Sequence, residues 1–417
     1  MNSASPRLQH AALGATILLP AFFFYGRAIA DALLSLTAIL FLVHSAISRD
    51  WRWTEKLWVR LAFLLWLLIL LSSMVSGKTH SSLEALVLVR LFIFAAALES
   101  WVLVRAKSRS WLGISVAIAA IWLVVECWQQ YIFGHNILGD ARWPDGSLTG
   151  PFFKPRAGPQ FLLVFFTGLM PVVVTLIQRP DWLARIGGAA ALIFLVLTMI
   201  LIGQRMPNLL MLFGLCLSAL LVKRFRVPFA IAMAMGIMAL IALPVISPPT
   251  YAKLIIKFTS QMSHFPRSPY GQLYTRAAVM VVAHPWLGLG FEGFRDFCTN
   301  PGYFHGFPAL GIPNVDNGGL RGCNIHPHNY YLQIATSAGV PGLLVFLAMV
   351  GLWLNRMIRR VWSAPDPRQA MLTVACCVIL WPIASTSSLF TLSTAGWVFM
   401  TIGWSLAASA PRADQAD

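Results

Sequence analysis

Long apolar runs, interrupted by short basic or Gly/Pro-rich breaks, set the pattern of this chain. Stretches near 9–25, 27–47, 57–76, 82–104, 110–133, 159–178, 183–203, 206–222, 227–246, 330–354, 369–388 and 391–409 approach the length that a bilayer core demands of a helix, about 20 residues, so the pattern predicts about twelve transmembrane helices. The first run passes straight into the second without a small-residue cleavage site, and is therefore read as a span and not as a cleaved leader. The predicted class is an all-α polytopic membrane protein.

Two intervening segments exceed a turn, 134–158 and 247–329, and chemistry is expected there. The larger opens at Pro248-Pro249 and continues with "YAKLIIKFTSQMSHF" and "GQLYTRAAVMVVAHPW", whose mixed three- and four-residue apolar spacing predicts short amphipathic helices on the membrane surface. Asn300 to Gly322 is rich in Gly, Pro and Asn and reads as an ordered loop. The expected organisation is nine transmembrane helices over 1–246, a loop domain over 247–329, and three further helices with the C-terminal tail over 330–417.

Composition agrees with the pattern: hydrophobic residues make up 58% of the chain, charged residues 11%, and mean hydropathy is +0.71. A net charge of +16 raises nucleic acid as a partner, but the basic residues are scattered between spans, as membrane topology requires, and no nucleic-acid binding is expected. Eighteen Lys and Arg fall on the side that includes Arg49, Arg105, Lys223 and Arg356, against six in the short loops opposite, which predicts both termini in the cytoplasm and the 247–329 segment outside.

His326, His328 and Asn329 stand at the seam between that outer loop and an apolar helix. Free N–H groups and the positive dipole end favour anions there, and a neutral imidazole can accept a proton near pH 7. An N-cap alone would also explain Asn329. His326-x-His328 is half of a metal set at most, because the outward acids Asp140, Asp145, Glu292, Asp296 and Asp316 form no clustered motif; no metal or other cofactor is expected.

Arg205 ends one apolar span and precedes the next, either snorkelling to the interface or meeting an anion; Arg276 lies on the second surface helix. Two guanidinium forks and a histidine on one face suit a diphosphate. Arg90 and Glu126 lie at similar depth within spans, as a structural ion pair or as part of a phosphate-lined cavity. Lys154 and Arg156 add positive potential to the outer face or bind lipid headgroups. Gly288, Gly290 and Gly293 spell GxGxxG, but no strand precedes them and a dinucleotide site is rejected. Of six cysteines only Cys298 and Cys323 fall in the outer loop; an oxidising compartment would join them, with about 2–4 kcal/mol of stabilisation, the alternative being two free thiols.

These residues resemble the bacterial O-antigen ligase and polymerase superfamily. "HNYYLQIATSAGVPG" carries its His-Asn, nine residues, Gly-x-x-Gly pattern (His328, Asn329, Gly339, Gly342), and the long outer loop, the "HPWLGLGFEGF" segment from His284 and an arginine at a helix end match its layout. The resemblance implies a twelve-span GT-C-type glycosyltransferase of the inner membrane that works at its periplasmic face without a metal. Its essential histidine would fall on His328, its helix-end arginine on Arg205, and its loop arginine on Arg276, with Arg267 the competing assignment. Lys154-Pro155-Arg156 departs from the Asn-Pro-Asn-like turn of many relatives.

The implied reaction is inverting transfer of O-antigen from undecaprenyl diphosphate to lipid A-core, with His328 as base and Arg205 and Arg276 on the diphosphate. His326, Asn329, Arg267, Arg90, Lys154 and Arg156 are further candidates for substrate contact. Protein-glycosylating relatives are longer, which favours lipid A-core as acceptor. A polymerase joining lipid-linked repeats is the alternative, and a transporter or flippase a weaker one, for want of an inverted repeat and in-span charges.

Overall fold

The computed structural model describes residues 4–312, 323–383 and 387–410. Among them regular structure is entirely helical: α1 Ala4–Tyr25, α2 Arg27–Ser48, α3 Leu57–Val75, α4 Thr79–Ala97, α5 Ala106–Phe133, α6 Ala157–Val164, α7 Met170–Gln178, α8 Trp182–Ile202, α9 Arg205–Leu221, α10 Arg226–Ile246, α11 Pro248–Tyr251, α12 Lys257–Ser263, α13 Pro269–Ala283, α14 Gly293–Phe297, α15 Tyr330–Ser363, α16 Pro367–Ile379 and α17 Leu392–Ala408. Asp316 and residues 313–322 of the predicted ordered loop, and Arg412 of the tail, lie outside the described residues.

Among the described residues nine helices, α6 and α7 counting as one continuous span over 157–178, are long and apolar enough to cross a membrane, and the chain is a multi-pass membrane protein. Three of the twelve predicted spans are shorter helices: α9 and α17 have 17 residues each and α16 has 13. The apolar run read as 369–388 closes its helix at Ile379 because a turn at Pro382 cannot continue it. Large side chains such as Ile241 (73% exposed) and Val245 (88%) cover the outer face of α10, where lipid takes the place of a protein neighbour.

Inside, α15 packs along α3, α3 along α4, and α17 against α4 and α16, around buried Trp353, Trp397 and Phe399. Arg90 does not pair with Glu126 as similar depth suggested; its guanidinium binds Asp31 on α2 at 2.9 Å, while Glu126 Oε2 accepts the Ile137 N–H at 2.9 Å. Depth fixes position along a helix axis but leaves its azimuth open, and α4 faces α2.

The feature that positions the site is a break in α15. Ala338 and Gly339 leave the helical conformation, Gly339 at φ +67° and ψ −168°, a region that only glycine enters without strain. The loop after α13 docks into this break: the Val340 N–H donates to the Pro285 carbonyl at 2.7 Å, and the Leu289 and Gly290 N–H groups donate to the Thr336 and Ser337 carbonyls at 2.8 and 3.1 Å. A Cβ on Gly288 would lie 2.7 Å from the Gly339 nitrogen. The glycines rejected as a nucleotide motif thus allow two backbones to touch.

Candidate active site

The seam before α15 is a strained turn. His328 has φ +52°, left-handed for a non-glycine residue, and the Asn329 side chain then accepts the Tyr331 and Leu332 N–H groups at 2.9 and 3.1 Å, making Asn329 the N-cap. The Asn329 amide also donates to the Pro382 carbonyl at 2.6 Å, tying this turn to the segment before α17. Buried His326 supports the bend: its Nδ1 accepts the His328 N–H at 3.2 Å and the two rings stand 4.3 Å apart. Burial, and secondarily the neighbouring His328, push the His326 imidazole down to about 3, so it is neutral at pH 7.

His328 itself is only partly buried. Asn324 fixes its own amide by accepting the Ile325 N–H on Oδ1 at 2.7 Å, which turns Nδ2 toward His328 Nε2 at 3.1 Å. In that orientation Nε2 accepts, and its lone pair points at an exposed side chain that a substrate hydroxyl can displace. Tyr270 of α13 lies edge-on to the imidazole at 5.7 Å.

Tyr270 and Tyr274 share one face of α13, as spacing of four requires. Tyr274 lies beside Asn329, whose hydrogen bond offsets part of the burial that raises its phenol to about 12. Arg276 projects to the other side, where it is fully buried: its guanidinium stacks 3.9 Å from the Phe304 ring centroid and donates to the Cys298 carbonyl. Cys298 and Cys323 are disulfide-bonded, with Cα atoms 5.5 Å apart, and the Cys323 sulfur lies 3.7 Å from Arg276 Nη1. With Leu273, Met280, Leu289 and Phe294 they form a small core separate from that of the bundle.

Arg205 opens α9 directly after a glycine turn, Gly203 at φ +75°, and no side chain caps that helix. Its guanidinium donates to Gln261 of α12 and lies 6.0 Å from the Phe258 ring, and it makes no ion pair among the described residues. Tyr270 is close enough to interact with it electrostatically, so one tyrosine touches both the Arg205 and the His328 surroundings. Below Arg205 lies an apolar groove of about 240 Å³ walled by Ile200 of α8, Leu212 of α9, Ile237 and Leu240 of α10, and Leu254.

The other sequence candidates are dispersed. Arg267 is exposed just before α13. Arg156 precedes α6, and Gln204, the neighbour of Arg205, donates to the Pro155 carbonyl at 2.7 Å, which brings the Lys154–Arg156 turn alongside. Lys154 lies 5.4 Å from the Phe153 ring, and Arg90 is held by Asp31. Gln261, Tyr270 and Asn324 were not singled out from sequence; the tyrosine pair at a spacing of four on a surface helix was the available signal. Among the described residues no group of potential metal ligands includes His326 or His328.

Residues 190–347 match the family model described as O-Antigen ligase, a stretch that runs from α8 through the broken α15 and contains Arg205, Arg276 and His328. No curated protein matches the chain.

Proposed function

We propose, on the premise that the chain carries an O-antigen ligase domain across residues 190–347, that it transfers O-antigen from undecaprenyl diphosphate to lipid A-core at the periplasmic face of the bacterial inner membrane. The observation that carries this reading is Arg205: a half-buried guanidinium in no direct ion pair among the described residues, with Asp145 acting on it only from a distance, at an uncapped helix N-terminus, over an apolar groove and one tyrosine away from His328. An isoprenoid diphosphate has the same two-part chemistry, a hydrocarbon tail for the groove and phosphate oxygens for the arginine and helix end.

In this reading His328 Nε2 takes the proton of an acceptor hydroxyl, whose oxygen bonds to the anomeric carbon as the bond from that carbon to the diphosphate oxygen breaks. The diphosphate leaves with the electron pair, and its growing charge is met by Arg205 and the α9 N–H groups. Attack opposite the leaving group inverts the anomeric centre. Diphosphate is a good leaving group and needs little acid assistance.

Burial of Arg276 under the disulfide supports a positioning role, holding α13 and its tyrosines in place, and leaves exposed Arg267 as the second cation for phosphate. Lys154 and Arg156 add positive potential at the rim. The twelve-helix GT-C-type architecture belongs to the same proposal, with α9, α16 and α17 completing the set.

The test is transfer in vitro from glycan-loaded undecaprenyl diphosphate to purified lipid A-core, with a chelator present. Wild type should transfer, and His328→Ala should be slower by about 10²–10⁴-fold, the usual contribution of a general base. Transfer at the wild-type rate by His328→Ala would remove the histidine from the reaction. Extension of lipid-linked repeats with no transfer to lipid A-core would make the protein a polymerase.

A further inference from the structure

His80 and Glu84 sit one turn apart at the start of α4, with His80 Nε2 3.6 Å from Glu84 Oε1. Glu292, more than two hundred positions later, brings its Oε2 to 4.0 Å from His80 Nδ1. One ligand atom from each of the three residues lies within 4.8 Å of the others. We propose that these residues form a structural site for a zinc-class divalent ion, separate from the His328 surroundings.

Three further observations support it. A polar cavity of about 460 Å³ lined by Lys78, Thr79, His80, Glu292, Arg295 and Asp296 opens beside the cluster, so a hydrated ion can enter and keep a water. Glu84 Oε1 faces His80, and its Oε2 has no hydrogen-bond partner among the described residues, so neither oxygen is committed to another group. Arg295 Nη1 already holds Glu292 Oε1 at 2.9 Å and leaves Oε2 for the ion, the usual outer support of a ligating carboxylate. Lys78, the other nearby cation, lies 5.8 Å from the Phe297 ring and binds neither carboxylate.

An imidazole with two carboxylates selects Zn²⁺ or a neighbouring transition ion over Mg²⁺ or Ca²⁺, which want oxygen ligands alone. At bond lengths of about 2.1 Å the ligand atoms of a tetrahedral site stand about 3.4 Å apart, so the three arms must close by about 1 Å. His80, with 75% of its side chain exposed, has room to move that far.

The ion would clamp α4 to the loop seated on the α15 break. That loop already reaches the same region through Phe291 N–H to Ser73 Oγ at 2.9 Å and Glu292 N–H to Ser81 Oγ at 3.4 Å. Binding would therefore stabilise the fold on which the His328 turn rests.

The experiment titrates chelator-stripped full-length protein in detergent with Co²⁺, followed by its visible d–d bands, and with Zn²⁺, followed by calorimetry and melting. Saturable binding of a single ion is expected, with a Zn²⁺-dependent rise in Tm, both weakened about tenfold or more in affinity by His80→Ala and by Glu84→Gln. His80 is exposed, so His80→Ala keeps the test readable if the Glu84 variant folds poorly. Failure of wild type to bind, equal binding by His80→Ala, or binding lost only on His326→Ala would each overturn the assignment.

Discussion

At the end of α15 that carries Arg356, three donors converge on one buried carboxylate: Glu99 receives Arg356 at 2.5 Å, Lys56 at 2.9 Å and the Trp58 indole N–H at 3.0 Å. At the end that begins with His328, Arg205 meets a neutral amide and a ring, and His328 Nε2 meets a neutral amide. The first arrangement neutralises charge within the protein and holds helices together. The second leaves Arg205 without a direct ion pair among the described residues, Asp145 acting on it only from a distance, and on the proposed reading this is how a site for an anion differs from a joint.

That contrast is sharpest in Arg205→Ala. Transfer should fall by about 10²–10³-fold, the usual cost of one donor to a developing charge, with Tm unchanged, as read from parallel rate and melting measurements. A fall in Tm matching that of a structural joint would erase the distinction.

Glu99→Gln should do the reverse. It strands Lys56 and Arg356, and a loss of about 2–3 kcal/mol is expected, below the range for fully buried pairs because both cations keep solvent contact. Melting should report it while the rate per folded molecule stays near wild type.

A third difference is pH. Above about 6.5 His326 is neutral in folded and unfolded chains alike; as pH falls the unfolded chain takes up a proton that the folded one refuses down to about 3. Stability should drop by about 2 kcal/mol between pH 7 and 5 from this group, and His326→Gln should flatten that slope in melting curves.

The smallest effect concerns the turn itself. With His328 at φ +52°, His328→Gly should melt above His328→Ala by an amount equivalent to about 1 kcal/mol, both being inactive. Equal melting of the two variants would mean that the turn relaxes once the imidazole is gone.

The helices were legible because a bilayer imposes one rule, apolar length, that any window of sequence can be tested against. The limits of that rule are equally local: Leu380 to Pro382 counted as apolar length but form a turn. His328, Arg205 and Asn329 were legible as a polar seam at helix ends. Their company was not, since Gln261, Tyr270 and Asn324 are unremarkable until α12 and α13 fold over the seam. Azimuth was the common blind spot: it sent Arg90 to Asp31, turned Arg276 beneath the disulfide, and brought Glu84 beside Glu292 although the outward acids showed no cluster in sequence.

By itself the sequence determined the helical membrane architecture and the long loop with its two cysteines, because hydropathy and turn chemistry are properties of single residues or short windows; the break at Gly339 came only with the structure. Only the tertiary structure decided which charges are neutralised and which stand open. That depends on which faces of distant helices meet, and a buried ion is stabilised or left needing a ligand by its neighbours in space.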